Sequence, residues 1–295
     1  MKRPITEVKT KGAKRYILFF LVGVASVYLH FFFQFRTSDT QTLQYFEKSN
    51  TPVAIEYISS PTYPENIRVI QTKNKAEHNI LFVHGAPGSS NAFYSYLEDT
   101  TLLSTARLIT YDRPGYGYSG FGNAMTSIVE QAEVLNDIIK SLNLNNVIVV
   151  GHSYGGPIAA LAALSNPSIK GLVMLSPAID PKAEKYYWIG QFAEWEATKW
   201  LVPEALEIAQ QEKSVHAKKL MEISTSWNDI TIPTLIIHGR KDVLAPFENM
   251  RYVENTFSNA QLDAIALPNA NHFIPWTQKK IIIEELVGMI SADKD

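Results

Sequence analysis

The sequence predicts an α/β fold in which a mostly parallel sheet is flanked by helices and carries an inserted helical cap. From Thr51 onward, short β-branched runs alternate with longer helical stretches, a pattern typical of a parallel sheet covered by helices. Residues 181–232 differ, because they are rich in Glu, Lys, Trp and Tyr and have no strand-like run. An uncharged apolar run at residues 16–35 adds a predicted N-terminal transmembrane helix.

Composition limits the functional classes that the chain can belong to. It has 295 residues, 46% of them hydrophobic, which is enough for a sizeable core and excludes a disordered or low-complexity protein. It has no cysteine, so disulfides, thiolate metal sites and a cysteine nucleophile are excluded. The formal net charge of -2 argues against a nucleic-acid partner held through phosphate contacts.

The N-terminal segment combines a basic cluster with the apolar run. Residues 1–15 carry six Lys and Arg side chains against Glu7 alone. At about 1.5 Å per residue, a helix over residues 16–35 just crosses a hydrocarbon core of about 30 Å. We therefore predict a transmembrane signal-anchor, with residues 1–15 in the cytoplasm and the body of the chain exported to the periplasm or the cell exterior. A cleaved signal peptide and a soluble apolar helix are the alternatives.

The rest of the chain divides into a tether, a core and a cap. Residues 36–50 are polar and are predicted to form a tether. Residues 51–180 and 233–295 are predicted to form the core, and residues 181–232 the helical cap. Strands are predicted at residues 53–59, 67–72, 80–84, 108–111, 147–150, 171–175, 234–238 and 262–267, and helices at residues 126–142, 157–164 and 278–290.

The sharpest local signal is Gly-His-Ser-Tyr-Gly at residues 151–155, between a predicted strand and a predicted helix. A serine on such a tight turn projects its hydroxyl above the sheet, and flanking glycines relieve the crowding. The five-residue pattern alone is weak, but this context makes Ser153 the candidate nucleophile.

A serine nucleophile needs a base and a carboxylate that orients the base. His272 lies in a loop after the last predicted strand, and Asp242 follows the preceding strand. All three candidates lie at the carboxyl ends of strands, where open α/β sheets place their sites. Asp180, which follows the strand at residues 171–175, is the rival candidate for the acid.

An oxyanion hole needs two N–H donors. The residue after the nucleophile supplies one, which is Tyr154 here. The second candidate is Ala86 in His-Gly-Ala-Pro-Gly, residues 84–88, since Pro87 has no N–H. We interpret His84 as a residue that organises this loop rather than as a catalyst.

With two further motifs, Asp-Arg-Pro-Gly-Tyr-Gly-Tyr-Ser at residues 112–119 and His-Gly-Arg-Lys-Asp at residues 238–242, the chain resembles the α/β-hydrolase fold family from about residue 51 onward. The resemblance implies a catalytic triad of Ser153, Asp242 and His272, and it implies a structural loop at residues 112–119. Epoxide hydrolases and haloalkane dehalogenases of this group use an aspartate nucleophile, so a serine favours acyl transfer to water.

We therefore expect a membrane-anchored serine hydrolase that cleaves a small-molecule carboxylic ester or amide through an acyl-enzyme, without a metal or organic cofactor. Trp188, Phe192 and Trp195 are spaced to share one helical face, which either lines an apolar substrate pocket or packs the cap on the core. The natural substrate and the oligomeric state stay open.

Two alternatives remain for the function. Proline iminopeptidases resemble the chain at residues 84–88, although they usually have a Gly-Gly-Ser-Trp-Gly elbow. Aminopeptidase activity would require cap carboxylates for the substrate amine, and five glutamates are available: Glu184, Glu194, Glu196, Glu204 and Glu207. A non-catalytic binding protein on a hydrolase scaffold is the alternative of another class.

Overall fold

The fold is known from a computed structural model that describes residues 11–186, 195, 200 and 202–292. The strands are β1 (Val53–Ser60), β2 (Tyr63–Thr72), β3 (His78–Val83), β4 (Ala106–Tyr111), β5 (Val147–His152), β6 (Ile169–Leu175), β7 (Pro233–Gly239) and β8 (Gln261–Leu267). The α-helices are α1 (Lys11–Phe32), α2 (Asp39–Lys48), α3 (Tyr94–Leu97), α4 (Thr100–Leu103), α5 (Ile128–Ser141), α6 (Gly155–Ser165), α7 (Glu204–Ile223), α8 (Glu248–Thr256), α9 (Ile274–Thr277) and α10 (Lys279–Ala292).

The eight strands form one sheet in the order β1-β2-β4-β3-β5-β6-β7-β8. The β1–β2 and β2–β4 pairs are antiparallel, and every pair from β4 to β8 is parallel. The predicted mostly parallel sheet is therefore confirmed. Because the parallel strands share one direction, the loops that follow β3, β5, β6, β7 and β8 open at one edge of the sheet, where ligand sites form in such folds.

Helices cover both faces of the sheet, as predicted. On one face α5 and α6 pack on the strands together with the buried side of α7. On the other face α2, α3 and α10 pack on a second apolar cluster. The central strands β3 and β5 are buried along their whole length because both of their faces are covered.

Helix α1 forms where the sequence predicts a transmembrane helix, but the structure does not support that prediction. Among the described residues, no helix is both long and apolar enough to cross a membrane. The helix ends at Phe32, whereas the predicted transmembrane segment extends to residue 35.

The segment at residues 36–50 differs from the expected tether, because it contains helix α2 docked on the core. Ser38 and Gln41 form a capping box at the start of the helix. The Phe46 ring is buried, and its centroid lies 4.9 Å from that of the Tyr94 ring. Arg68, buried under the helix, donates to Asp39 at 2.7 Å, and its Nη2 also donates to the Thr42 hydroxyl.

The insertion between β6 and β7 contains the predicted helical material. Its longest described element is α7, which is followed by a 3₁₀ helix at Ser224–Asp229. One side of α7 is buried, and three of its seven buried residues are polar: Glu207, Glu212 and His216.

Docking of α2 predicts a large stability cost for Phe46→Ala. Removing this ring, which is 1% exposed, leaves a cavity, and we expect the free energy of unfolding to fall by about 3–5 kcal/mol in urea denaturation. Leu43→Ala on the same helix is the matched control, because Leu43 is 49% exposed and its truncation should change stability by less than about 0.5 kcal/mol. Equal effects of the two variants would show that α2 does not dock in solution.

Candidate active site

The turn between β5 and α6 holds Ser153 in a left-handed conformation, with φ of 53°. Glycines on both sides make the turn possible: a Cβ on Gly151 would lie 2.3 Å from the Gly155 carbonyl oxygen, and one on Gly155 would lie 2.4 Å from that of Val83. The serine backbone is fixed by the β6 side of the site, since its N–H donates to Leu175 O at 3.0 Å and its carbonyl accepts from Ala178 N at 3.1 Å. This is the geometry expected of a nucleophile on a strand-to-helix turn.

The loop after β3 lies directly against the nucleophile. A Cβ on Gly85 would come within 3.0 Å of the Ser153 Cβ and 3.2 Å of His152 Nδ1, so only glycine fits without displacing its neighbours. The next residue along this loop is Ala86, the predicted second oxyanion donor. Tyr154, the predicted first donor, begins the turn into α6, where backbone N–H groups have no helical partners.

His272 and Asp242 meet at the same edge of the sheet. His272 Nδ1 donates to Asp242 Oδ2 at 2.8 Å, which leaves Nε2 as the acceptor in the neutral ring. Contact between the loops after β7 and β8 brings the pair together, because Lys241 N donates to Ala270 O at 2.9 Å. Gly239 allows this approach, since a Cβ there would lie 2.4 Å from the same oxygen.

Hydrogen bonds from its neighbours keep the Asp242 carboxylate ionised. Burial raises its pKa, but hydrogen bonds from His238 and His272 and from the Ala245 N–H hold the pKa below its usual range. The carboxylate also accepts from Leu244 N at 2.9 Å. Asp242 is therefore an anion that fixes the orientation of His272 over a wide pH range.

The Ser153 hydroxyl forms no hydrogen bond within the described part of the chain, so the serine–histidine contact that a triad requires is not made in this state. His152, next to Ser153 in the chain, contacts the loop that holds His272. Its Nε2 donates to the His272 carbonyl at 3.2 Å, and its ring centroid is 4.9 Å from that of His272. Catalytic hydrogen bonds are often long or unaligned without substrate, so the geometry is compatible with the predicted roles.

Asp180, the rival acid, is placed in a different role. Its Oδ1 accepts from Lys182 N at 2.8 Å, and its own N–H donates to Asn249 Oδ1. No hydrogen bond or ion pair joins Asp180 to His272 in the part of the chain that the structure describes. The geometry therefore favours Asp242.

The cap aromatics predicted to share a face are mostly not described. Trp188 and Phe192 lie outside the described residues, and Trp195 is 53% exposed. Of the five cap glutamates, Glu194 and Glu196 also lie outside those residues. The Glu184 side chain is 4% exposed and accepts from His216 Nδ1 at 2.7 Å and from Lys213.

A buried charge cluster around Arg113 and Glu212 lies beside the site and was not predicted from the sequence. The Arg113 guanidinium donates to both carboxylate oxygens of Glu212, at 2.7 and 3.1 Å, and both side chains are fully buried. Tyr116 and Gln131 complete the cluster by donating to the same carboxylate at 2.7 and 2.9 Å. The signal available in the sequence was the apolar stripe of α7, at residues 205, 208, 220 and 223, which Glu212 and His216 interrupt in register.

Within the described ranges, no three His, Asp or Glu side chains converge as a set of metal ligands.

Comparison with known proteins gives a consistent set of relatives. A family model described as alpha/beta hydrolase fold matches residues 79–203. A Mycoplasma pneumoniae protein whose name suggests an esterase or lipase is 31% identical over 124 residues, covering 40% of this chain and 43% of that protein. A proline iminopeptidase of Heyndrickxia coagulans is 34% identical over 103 residues, covering 34% of this chain and 35% of that protein. The chain thus matches less than half the length of either relative.

A solved structure agrees over a longer stretch. The esterase of Exiguobacterium antarcticum superposes with a TM-score of 0.58 and 22% identity, over 77% of this chain and 96% of that one. At this identity the likeness concerns the fold alone.

The burial of His152 predicts an acid-dependent loss of stability. Burial and the neighbouring His272 lower the pKa of His152 to about 3, whereas the unfolded chain takes up this proton near pH 6.5. His152 therefore contributes stability that is complete above about pH 6.5 and is lost as the pH falls toward about 3. The free energy of unfolding, measured by urea denaturation, should fall less between about pH 7 and about pH 4.5 in His152→Phe than in the wild type. The difference should be up to about 1.4 kcal/mol per pH unit.

The control for this comparison is Tyr57→Phe on the edge strand β1, which should keep the pH dependence of the wild type. An unchanged pH dependence in His152→Phe would mean that His152 is accessible to protons in the folded chain.

Proposed function

We propose that the chain is a serine hydrolase of the α/β-hydrolase fold family that cleaves carboxylic esters through an acyl-enzyme intermediate. The observation that carries the proposal is the convergence of a left-handed Ser153 and a 2.8 Å His272–Asp242 pair at one sheet edge. Similarity to a protein whose name suggests an esterase or lipase supports the choice of an ester substrate.

In the acylation step, the His272 Nε2 lone pair accepts the Ser153 proton while Oγ attacks the ester carbonyl carbon. The carbonyl π electrons move onto oxygen, and the Ala86 and Tyr154 N–H groups donate to this oxyanion. Collapse of the tetrahedral intermediate expels the alkoxide, which takes the proton from the His272 imidazolium. Asp242 stabilises that imidazolium through Nδ1–H and stays ionised throughout.

Deacylation repeats the steps with water. His272 Nε2 takes a proton from water as the water oxygen attacks the acyl carbon, and the same two N–H groups receive the developing charge. Collapse breaks the bond to Ser153 Oγ and returns the proton to it. The carboxylic acid leaves, and the neutral His272 tautomer set by Asp242 is restored.

Aminopeptidase activity is the second candidate, and similarity to a proline iminopeptidase favours it. Against it, Glu184, one of the described cap carboxylates, is already paired. Both oxygens of Glu184 accept hydrogen bonds, one from His216 and one from Lys213, so this group is not free to bind a substrate amine. Ester hydrolysis is therefore better supported than aminopeptidase activity.

The N-terminal charge pattern supports a separate proposal, that the hydrolase domain is exported. Residues 1–15 carry six cations against Glu7 before the apolar run, which is the charge arrangement of a segment that directs export. Protease accessibility of the domain in intact cells tests this location, and full protection would contradict it.

The triad assignment predicts a strong contrast between two aspartates. In assays with p-nitrophenyl esters, Ser153→Ala should abolish turnover, and Asp242→Asn should lower kcat by about 10³- to 10⁴-fold because the wrong His272 tautomer is favoured. Asp180→Asn is the matched control, which should keep kcat within about threefold of wild type.

Circular dichroism checks that each variant is folded. Loss of turnover in Asp180→Asn with normal turnover in Asp242→Asn would move the acid to Asp180, and an active Ser153→Ala would contradict the mechanism.

A further inference from the structure

Glu212 and His216 lie one turn apart on the buried face of the cap helix α7, next to the two halves of the predicted oxyanion hole. Glu212 pairs with Arg113 beside the half that Ala86 provides, and His216 stacks on Tyr154, whose N–H is the other half. We propose that Glu212, acting through Arg113, and His216, stacked on Tyr154, position the Ala86 and Tyr154 N–H donors. The inference rests on the proposed function, because it assigns positioning residues to the oxyanion hole of that reaction.

The first half depends on the peptide bond between Gly85 and Ala86. This unit is planar, so the Gly85 carbonyl and the Ala86 N–H point in opposite directions and turn together. Two donors hold the carbonyl: His84 Nδ1 at 2.7 Å and Arg113 Nη2 at 3.2 Å. Fixing the carbonyl therefore fixes the direction of the Ala86 N–H, and a cationic donor on the carbonyl also polarises that N–H.

His84 is held in one tautomer by the same neighbour. Its Nε2 accepts from the Arg113 backbone N–H at 3.0 Å, so Nδ1 carries the proton that is donated to Gly85 O. Burial and the nearby Arg113 charge lower the pKa of His84 well below its usual value, which keeps the ring neutral. Arg113 thus acts on the Gly85 carbonyl directly and through His84.

Glu212 determines where the Arg113 side chain sits. The two form a fully buried pair with two hydrogen bonds, and Arg113 Nη1 also donates to Gln131 at 2.6 Å. A buried guanidinium with one carboxylate partner has one favourable position, because any displacement leaves a charge unpaired. Since Glu212 belongs to the cap, the orientation of a core peptide depends on a cap residue 99 positions away from Arg113.

The second half depends on the Tyr154 ring. His216 stacks on it with ring centroids 4.4 Å apart and an interplanar angle of 26°, and the Arg113 guanidinium lies 4.8 Å from the ring centroid. The His216 ring is itself oriented, because Nδ1 donates to Glu184 Oε1 at 2.7 Å. The Tyr154 side chain is thus held between a histidine and an arginine, which limits rotation of the residue whose N–H is the other donor.

The test compares two isosteric substitutions on α7. In ester hydrolysis, Glu212→Gln should lower kcat by about 10- to 100-fold, less than complete loss of one oxyanion donor, while KM changes less than about threefold. The inhibition constant of a trifluoromethyl ketone, whose adduct carries an oxyanion, should rise by a similar factor. Glu222→Gln is the matched control, since Glu222 is exposed and pairs with Lys219 on the same helix.

A second pair of variants tests the stacking contact separately. His216→Ala removes the ring and should lower kcat, whereas His216→Phe keeps a ring against Tyr154 and should restore most of it. If Glu212→Gln does not fold, Tyr116→Phe replaces it: this change removes one hydrogen bond to Glu212, keeps the ion pair, and should give a smaller fall in kcat with KM unchanged.

The outcomes separate the inference from the proposed function. An active wild type with folded Glu212→Gln and His216→Ala variants that match it in kcat and in ketone affinity would overturn the inference alone. Losses that only follow the folded fraction of each variant would overturn it too, because they would show a structural role. A folded wild-type chain that hydrolyses no ester would overturn the proposed function and the inference together.

Discussion

The arrangement of the site depends on one backbone constraint, the left-handed conformation of Ser153. A residue with a side chain pays about 1–3 kcal/mol for such a conformation, which persists only where the surroundings over-determine it. Here the surroundings are β6, whose Leu175 carbonyl receives the serine N–H, and two glycines that allow β5, α6 and the β3 loop to approach closely. The strained turn projects the hydroxyl above the sheet and places the Tyr154 N–H at the start of α6.

The parallel sheet explains why distant parts of the chain meet around that turn. Every parallel strand ends at the same edge, so the loops after β3, β5, β7 and β8 are neighbours regardless of their separation in sequence. Precision comes from backbone contacts between loops, such as Lys241 N to Ala270 O, which bring the carboxylate of Asp242 to His272. The fold supplies the approximate position of each group, and these contacts with their buried partners supply its orientation.

Much of this could be predicted from sequence because the signals are local. Predicted strands at residues 80–84 and 147–150 differ from β3 and β5 by at most a few residues, since continuous apolar runs mark buried strands. Helix α2 was missed because its amphipathic signal is two buried residues in a polar segment, and its docking depends on Arg68 across the fold. The Arg113–Glu212 pair joins a loop to the cap, and no local sequence pattern predicts a contact between residues 99 positions apart. The membrane-spanning expectation rested on the uncharged apolar run and the cations before it, which do not show where the helix begins and ends.

The central claim is that the fold activates Ser153 as a nucleophile. Its most direct test is to treat the full-length chain with a fluorophosphonate probe and locate the adduct by peptide mass spectrometry. The account predicts a single adduct on Ser153 that is absent from Ser153→Ala and forms more slowly in Asp242→Asn. No adduct on a folded chain, or an adduct on a different serine, would contradict it.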